Sequence, residues 1–146
     1  MKKWSSLMPL AMLVWHAQSM AIVPASYRVE IQFRFDRGEF ELSEGKRRSL
    51  ERLAGRVDEL RSGVIYIVVH GDRESADATI ATDEELASAR AGIVTAIFAR
   101  KATPEFAIHT YTEAVRDKEH EGMADIVIRG ECKAAYAVCD ARWNER

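Results

Sequence analysis

Two charged residues stand at positions where charge is uncommon in a folded chain. Asp72 follows closely on the most apolar run of the 146-residue chain, residues 64–69. On a helical wheel with about 100° per residue, Arg90 falls on the same face as the apolar residues Leu86, Ile93, Val94 and Ile97. Because a guanidinium keeps its proton, an Arg90 buried under its helix needs an anion. Alternatively, its long side chain extends past the start of the helix into water.

Three interpretations of this pair follow from its chemistry. Asp72 and Arg90 could form a structural salt bridge. They could also lie apart at one crevice and bind a zwitterion, the aspartate taking an ammonium and the arginine taking a carboxylate in bidentate fashion. The third interpretation is a metal site built from His70, Asp72, Glu74 and Asp77. The spacing of these residues matches no metal-binding motif, so we predict no metal site and no cofactor.

The first 21 residues have the pattern of a secretory signal peptide. A basic start precedes a compact apolar core at residues 6–15, and small residues suited to a cleavage site follow. The apolar run is shorter than the ~20 residues that a membrane-spanning helix needs. We therefore expect residues 1–21 to direct export and to be removed, with an uncleaved anchor or a buried helix as the alternatives. The formal net charge of −2 gives no reason to expect nucleic acid as a partner.

The two cysteines, Cys132 and Cys139, lie near the C-terminus. In an exported chain such an even pair favours a disulfide. Seven positions along an α-helix would hold them about 10 Å apart, so the bond requires this segment to turn. The alternative is two unrelated small apolar residues. We predict a tail at residues 132–146 that contains the disulfide.

Periodicity predicts the elements of the first half of the chain. Apolar and polar residues alternate over residues 29–35, which indicates a strand with one buried face. Ser43 can cap a helix whose apolar residues continue at helical spacing to Leu60, and Gly63 is suited to end it. Residues 64–69 are continuously apolar, as is typical of a central strand.

The second half predicts one helix and two strands. Thr82 and Glu85 form a capping box, so a helix should begin near Asp83, and Pro104 stops it. Residues 106–112 and 124–129 are predicted strands with a charged loop between them. The resulting order is β-α-β-α-β-β. It predicts an α+β, two-layer sandwich with the helices packed on a mixed sheet and a parallel, right-handed first connection.

Several motifs together resemble a known family. They are "FRFDRGEFELSEGKRRSLERLA", an apolar strand, "HGD" and "LASARA". Their order is similar to that of the OmpA-like C-terminal domain, which binds peptidoglycan. The resemblance covers residues 29–129, and we assign residues 22–131 to such a domain. The family has asparagine at the position of Asp83, and glycine and threonine at the positions of Val69 and Gly71.

The resemblance implies a ligand and the residues that bind it. Asp72 would accept hydrogen bonds from the ammonium of diaminopimelate in the peptidoglycan stem peptide, and Arg90 would bind its carboxylate. His70 and Asp83 occupy motif positions beside them and complete the predicted ligand-binding set. The chain is thus predicted to be a non-catalytic peptidoglycan-binding domain in the periplasm of a Gram-negative bacterium, associated with the cell wall or the outer membrane.

Two other functions stay open at this point. One is a degenerate OmpA-like domain in which Asp72 and Arg90 pair internally, and which contacts other envelope proteins or has a structural role. A weaker alternative is a small metal-dependent hydrolase that uses the loop at His70 and Asp72. The basic run "KRRSLER" indicates a solvent-exposed helix surface. The alternative is that these residues contact phosphate groups of the cell wall.

Overall fold

The computed structural model describes residues 26–72, 83–115 and 117–133. Its elements, in chain order, are β1 (Ser26–Arg34), α1 (Glu44–Arg56), β2 (Leu60–His70), α2 (Asp83–Ala99), β3 (Phe106–Glu113) and β4 (Met123–Cys132). A short 3₁₀ turn, Val57–Glu59, joins α1 to β2. The predicted order of strands and helices is therefore confirmed.

The four strands form one mixed sheet in the order β1-β4-β2-β3. The last strand, β4, is antiparallel to both β1 and β2, whereas β2 is parallel to β3. The first and second strands consequently run parallel, with β4 between them. Strand β2, which contains the continuously apolar residues 64–69, has a hydrogen-bonded neighbour on each side, as its sequence predicts for a central strand.

The core lies between one face of the sheet and the two helices. Strand residues at alternate positions are fully buried, among them Ile65, Ile67, Ile126 and Ile128. Helix residues Leu50, Leu53, Val94 and Phe98 belong to the same apolar cluster. The intervening residues of β2, such as Tyr66 and Val68, are only partly buried. The molecule therefore has two layers, and the predicted α+β fold class is confirmed.

The end of α1 differs from the prediction. The helix stops at Arg56 and β2 begins at Leu60, so the prediction that Gly63 ends the helix is wrong. Gly63 lies inside β2, where a Cβ would collide with the backbone oxygen of Arg129 and approach the Cα of Gly130. The glycine is explained by the close approach of two strands rather than by a helix cap.

The start of α1 also differs in its hydrogen bonding. Ser43 occupies the N-cap position, but its side chain makes no capping hydrogen bond. Instead, its backbone carbonyl accepts the N–H of Arg47 at 2.9 Å. The serine thus marks the helix boundary without the side-chain contact that normally favours it there.

Several predictions concern residues that lie outside the described ranges. They include the signal peptide at residues 1–21, the capping Thr82 and the tail beyond residue 133. Cys132 is buried at the end of β4, but Cys139 lies outside the described residues, so their pairing stays a prediction. Within the described ranges, no helix has the length and apolar character needed to cross a membrane.

Candidate functional site

Asp72 and Arg90 meet at the carboxyl end of the central strand. Asp72 lies two residues past β2, and Arg90 lies two turns into α2, on its buried face as predicted. The Nη1 atom of Arg90 is 2.8 Å from Oδ1 of Asp72, and Nη2 is 3.2 Å from Oδ2. Arg90 is 0% exposed and Asp72 is 4% exposed. The two groups therefore form a buried, bidentate ion pair, as in the first of the three interpretations of the sequence, and they do not lie apart at one crevice as in the second.

The guanidinium of Arg90 is also held by backbone oxygens. Its Nε–H donates to the carbonyl of Glu39 at 2.7 Å, Nη2 donates to Asp36 at 3.1 Å, and Nη1 donates to His70 at 3.2 Å. A guanidinium has five N–H donors. Together with the two bonds to Asp72, these three contacts occupy all five of them. In this arrangement Arg90 has no unused hydrogen-bond donor.

Asp72 also accepts a hydrogen bond from the backbone. Its Oδ2 accepts the backbone N–H of Gly38. Gly38 has a φ of 73° and lies in the turn that the N–H of Glu39 closes on the carbonyl of Asp36 at 3.0 Å. Glycine adopts this left-handed conformation without steric cost. The "DRGE" turn therefore places an amide hydrogen toward Asp72.

Three loops come together around the ion pair. The Arg90 guanidinium lies 5.0 Å from the ring centroid of Phe35, within the range of a cation–π contact. The N–H of Phe35 donates to the carbonyl of Gly122 at 2.8 Å, and the N–H of Gly122 donates to Gly71 at 2.7 Å. We call this region, formed by residues 35–39, 70–72 and 120–122 with Arg90, the corner.

His70 takes part in the corner through its backbone more than through its ring. The ring is buried, its Nδ1 has no hydrogen-bond partner among the described residues, and its centroid is 5.3 Å from that of His120. Nδ1 of His120 lies 2.6 Å from Oδ1 of Asp117. This hydrogen bond from His120 lowers the pKa of Asp117. The contact between His70 and Arg90 is made by the backbone carbonyl.

Asp83, the first residue of α2, lies against the corner. Burial raises the pKa of its carboxyl group, and the negative charge of Asp72 adds to the increase, whereas the backbone N–H of Asp72 and the charge of Arg90 oppose it. Its Oδ1 is buried and has no hydrogen-bond partner among the described residues. A Cβ at Gly71 would collide with this carboxylate.

A cavity of about 480 Å³ opens beside Asp83. Its lining includes three carboxylates, those of Asp83, Glu84 and Glu113, together with Thr112. Such a lining favours a cationic group, for example an ammonium. Asp83 is the residue through which the cavity adjoins the corner.

The structure brings all four predicted ligand-binding residues to one place: Asp72, Arg90, His70 and Asp83. Sequence reasoning did not include the backbone carbonyls of Asp36 and Glu39, or the amide of Gly38. The sequence does contain a turn signal here, because Gly38 follows Asp36 by two residues. The fold alone shows that this turn faces Arg90.

The residues weighed in the metal-site interpretation are only partly within the described ranges. His70 and Asp72 are described, whereas Glu74 and Asp77 lie outside them. Among the described residues, no group of three or more histidine, cysteine, aspartate or glutamate side chains could hold a metal ion.

Solved structures share the architecture of the chain. No protein-family model and no curated protein sequence matches the chain. The OmpA-like domain of FopA1 from Francisella tularensis superposes with a TM-score of 0.53 at 11% identity, over 77% of this chain and 79% of that domain. The C-terminal domain of Helicobacter pylori MotB gives 0.52 at 15% identity, over 79% and 98% of the two chains.

A third structure agrees with these two. A putative MotB-like protein from Desulfovibrio vulgaris has a TM-score of 0.51 at 18% identity, over 71% of this chain and 75% of that one. At these identities the similarity concerns the fold. The element order, the mixed sheet and these superpositions lead to one conclusion: the chain has the fold of the OmpA-like domains.

Proposed function

We propose that the chain is a non-catalytic domain of the bacterial periplasm that binds peptidoglycan at the corner. One observation carries the proposal. The OmpA-like fold places Asp72 and Arg90, the two residues to which the family resemblance assigns the ligand, side by side at the carboxyl end of β2. The ligand we propose is the free amino-acid end of diaminopimelate in the stem peptide.

Binding would exchange one ion pair for two. A zwitterionic end carries an ammonium, which Asp72 can accept, and a carboxylate, which the fork of Arg90 can bind. Each residue of the pair has a second anchor: Arg90 has three backbone carbonyls and Asp72 has the amide of Gly38. Opening the pair breaks the two bonds between them and requires the groups to move apart, while the bonds to the backbone can keep each group at the corner.

The surroundings favour one orientation of the ligand. The cavity beside Asp83 is lined by carboxylates, so it would repel the ligand carboxylate and attract its ammonium. The ammonium should therefore face Asp72 and Asp83, and the carboxylate should face Arg90. Asp83 carries a charge that the family's asparagine lacks, so we expect it to strengthen the preference for an ammonium.

A second candidate function rests on the closure of the same pair. Arg90 is 0% exposed, and every one of its donors is occupied within the chain. If the pair stays closed, Asp72 and Arg90 connect the loops of the corner and bind no ligand. The domain would then be a structural or protein-interaction module of the envelope, built on the same fold.

Sedimentation with purified cell-wall sacculi distinguishes the two candidates. Asp72→Asn is the informative variant, because asparagine keeps the size of the side chain and an acceptor for Gly38 but loses the charge. The matched control is Glu30→Gln, which removes an exposed carboxylate on β1. We expect the native protein and the control to sediment with the sacculi, and the folded Asp72→Asn variant to stay in the supernatant.

The other outcomes decide against the first candidate. If the native protein does not sediment, the chain does not bind the wall. If Asp72→Asn sediments as well as the native protein, the corner is not the binding site. Circular dichroism at the assay temperature must show that each variant is folded, because removing one partner of a buried ion pair destabilises a protein.

A further inference from the structure

A groove between the two helices lies outside the corner. It has a volume of about 780 Å³, and its lining includes Arg48, Ser49, Glu51 and Arg52 of α1. From the other side it is lined by Arg100 and Lys101, which directly follow α2, and by Ile97. The lining thus contains four cationic side chains and one carboxylate. This concentration of positive charge occurs in a chain whose formal net charge is −2.

The cationic groups of the groove are weakly engaged within the protein. Arg48 makes an ion pair with Glu44 at 3.3 Å, but both side chains are about 70% exposed, with values of 69% and 70%. Exposed pairs of this kind contribute little free energy. Among the described residues, the side chain of Arg52 donates only to Ser49, at the long distance of 3.4 Å. Within the described residues, the side chains of Arg100 and Lys101 make neither a hydrogen bond nor an ion pair.

Packing does not account for this arrangement. Arg48 and Arg52 are four positions apart on α1, and like charges at this spacing destabilise a helix slightly. The buried residues of α1 are Leu50, Leu53 and Ala54, so the arginines lie outside the face that packs in the core. Positions 100 and 101 are suited to cations because they follow the C-terminus of α2. The preference of cations for a helix C-terminus does not explain the presence of Arg48 and Arg52 on α1, across the groove from these positions.

We propose that the groove is a second ligand site, which binds a phosphate group. Arginine forks fit the oxygens of phosphate in bidentate fashion, and lysine adds a compact positive charge. Arg48, Arg52 and Arg100 supply three such forks from two sides of one concave surface, and the hydroxyl of Ser49 can donate as well. The phosphate group could belong to a soluble molecule or to a lipid headgroup, since the groove recognises the chemistry that both share. The site is independent of the function proposed for the corner.

A titration of the full chain with inorganic pyrophosphate tests this proposal. In two-dimensional NMR spectra we expect saturable shifts confined to the amides near residues 45–52 and 97–101. The double variant Arg52→Ala/Arg100→Ala should weaken the affinity roughly tenfold, because each exposed charge contributes up to about 1 kcal/mol. Arg28→Ala, which removes an exposed arginine on β1, should leave the affinity unchanged.

Two further experiments identify the chemical class of the ligand and its source. Succinate carries two negative charges without phosphate, so affinity equal to that for pyrophosphate would overturn the assignment to phosphate. Flotation with vesicles of phosphatidylglycerol, against phosphatidylcholine as control, tests the lipid source. Binding to the anionic vesicles that is lost in the double variant supports a headgroup, and pyrophosphate binding without vesicle binding supports a soluble ligand.

Three results would overturn the proposal itself. They are the absence of saturable shifts with pyrophosphate, shifts spread over all basic residues of the surface, and unchanged affinity in a folded double variant. The Asp72→Asn variant separates the groove from the corner. Under conditions in which circular dichroism shows it to be folded, it should bind pyrophosphate like the native protein, whether or not it binds sacculi.

Discussion

The Nη1 atom of Arg90 lies 2.8 Å from Oδ1 of Asp72, with the arginine side chain fully buried and the aspartate side chain 5% exposed. This pair connects α2 to the end of β2. Through the carbonyls of Asp36 and Glu39 and the amide of Gly38, it also connects both elements to the loop after β1. The residues proposed to bind the ligand are thus also structural residues.

Removing one partner of the Asp72–Arg90 ion pair should destabilise the fold strongly. Arg90→Met leaves Asp72 buried without its partner and removes three bonds to backbone carbonyls. We expect a loss of about 3–5 kcal/mol in the free energy of unfolding, measured by urea denaturation. Asp72→Asn leaves the arginine charge uncompensated and should act in the same direction.

The double variant Asp72→Asn/Arg90→Met provides the control for this prediction. Because it removes both charges, it should lose less free energy than the sum of the two single variants. Glu30→Ala, which breaks an exposed pair with Arg28, should change the stability by less than about 1 kcal/mol. Additive effects of the two corner substitutions would show that the pair is not coupled.

Two glycines allow a matched test of the contact between β2 and α2. A Cβ at Gly71 would collide with the carboxylate and the backbone of Asp83, whereas a Cβ at Gly92 would meet nothing within 4 Å. We expect Gly71→Ala to destabilise the protein by about 1–3 kcal/mol. Gly92→Ala, in the exposed interior of α2, should stabilise it by roughly 0.5–1 kcal/mol. Equal melting temperatures for the two variants would contradict the close contact at Gly71.

Gly38 should also resist substitution, for a conformational reason. Its φ of 73° is costly for a residue with a Cβ, although no atom crowds the position. Gly38→Ala should destabilise the protein by about 1–2 kcal/mol. Gly55→Ala, inside α1 and equally uncrowded, should not destabilise it. Retention of full stability by Gly38→Ala would mean that the turn can change its conformation without loss.

The pKa of Asp83 predicts how the stability depends on pH. Since burial raises this pKa above its ordinary value of 3.8, the folded state binds the proton more tightly than the unfolded state does. The free energy of unfolding should therefore fall as pH rises through the ordinary and then the raised pKa. Asp83→Asn removes this ionisation, so it should raise the melting temperature at neutral pH.

The same variant has a built-in control. Below the ordinary pKa, Asp83 is protonated in both states, so the advantage of asparagine should disappear in acid. Glu84→Gln, which changes the adjacent exposed carboxylate, is the matched variant for the same measurements. An advantage of Asp83→Asn that is the same at all pH values would contradict a raised pKa.

Local sequence patterns predicted the elements of this fold, and tertiary contacts decided the rest. The buried position of Arg90 follows from helical periodicity, which depends only on residues within two turns. Its backbone partners Glu39 and Asp36 are 51 and 54 positions away, and no local pattern encodes such contacts. Gly63 was misassigned for the same reason, because its crowding comes from β4. The insertion of β4 between β1 and β2 also depends on long-range pairing.

The central claim is that the ion pair of the corner opens for a zwitterionic amino-acid end. NMR spectra of the Gly38 amide and the Arg90 Nε–H report on both sides of the pair directly. The ligand is diaminopimelate acetylated at one amino group, and Nα-acetyl-lysine, which has the side-chain ammonium but no second carboxylate, is its control. We predict saturable shifts of both signals with the diaminopimelate derivative and much weaker ones with the lysine derivative. Signals that stay unchanged at saturating concentrations, or that respond equally to both compounds, would contradict the claim.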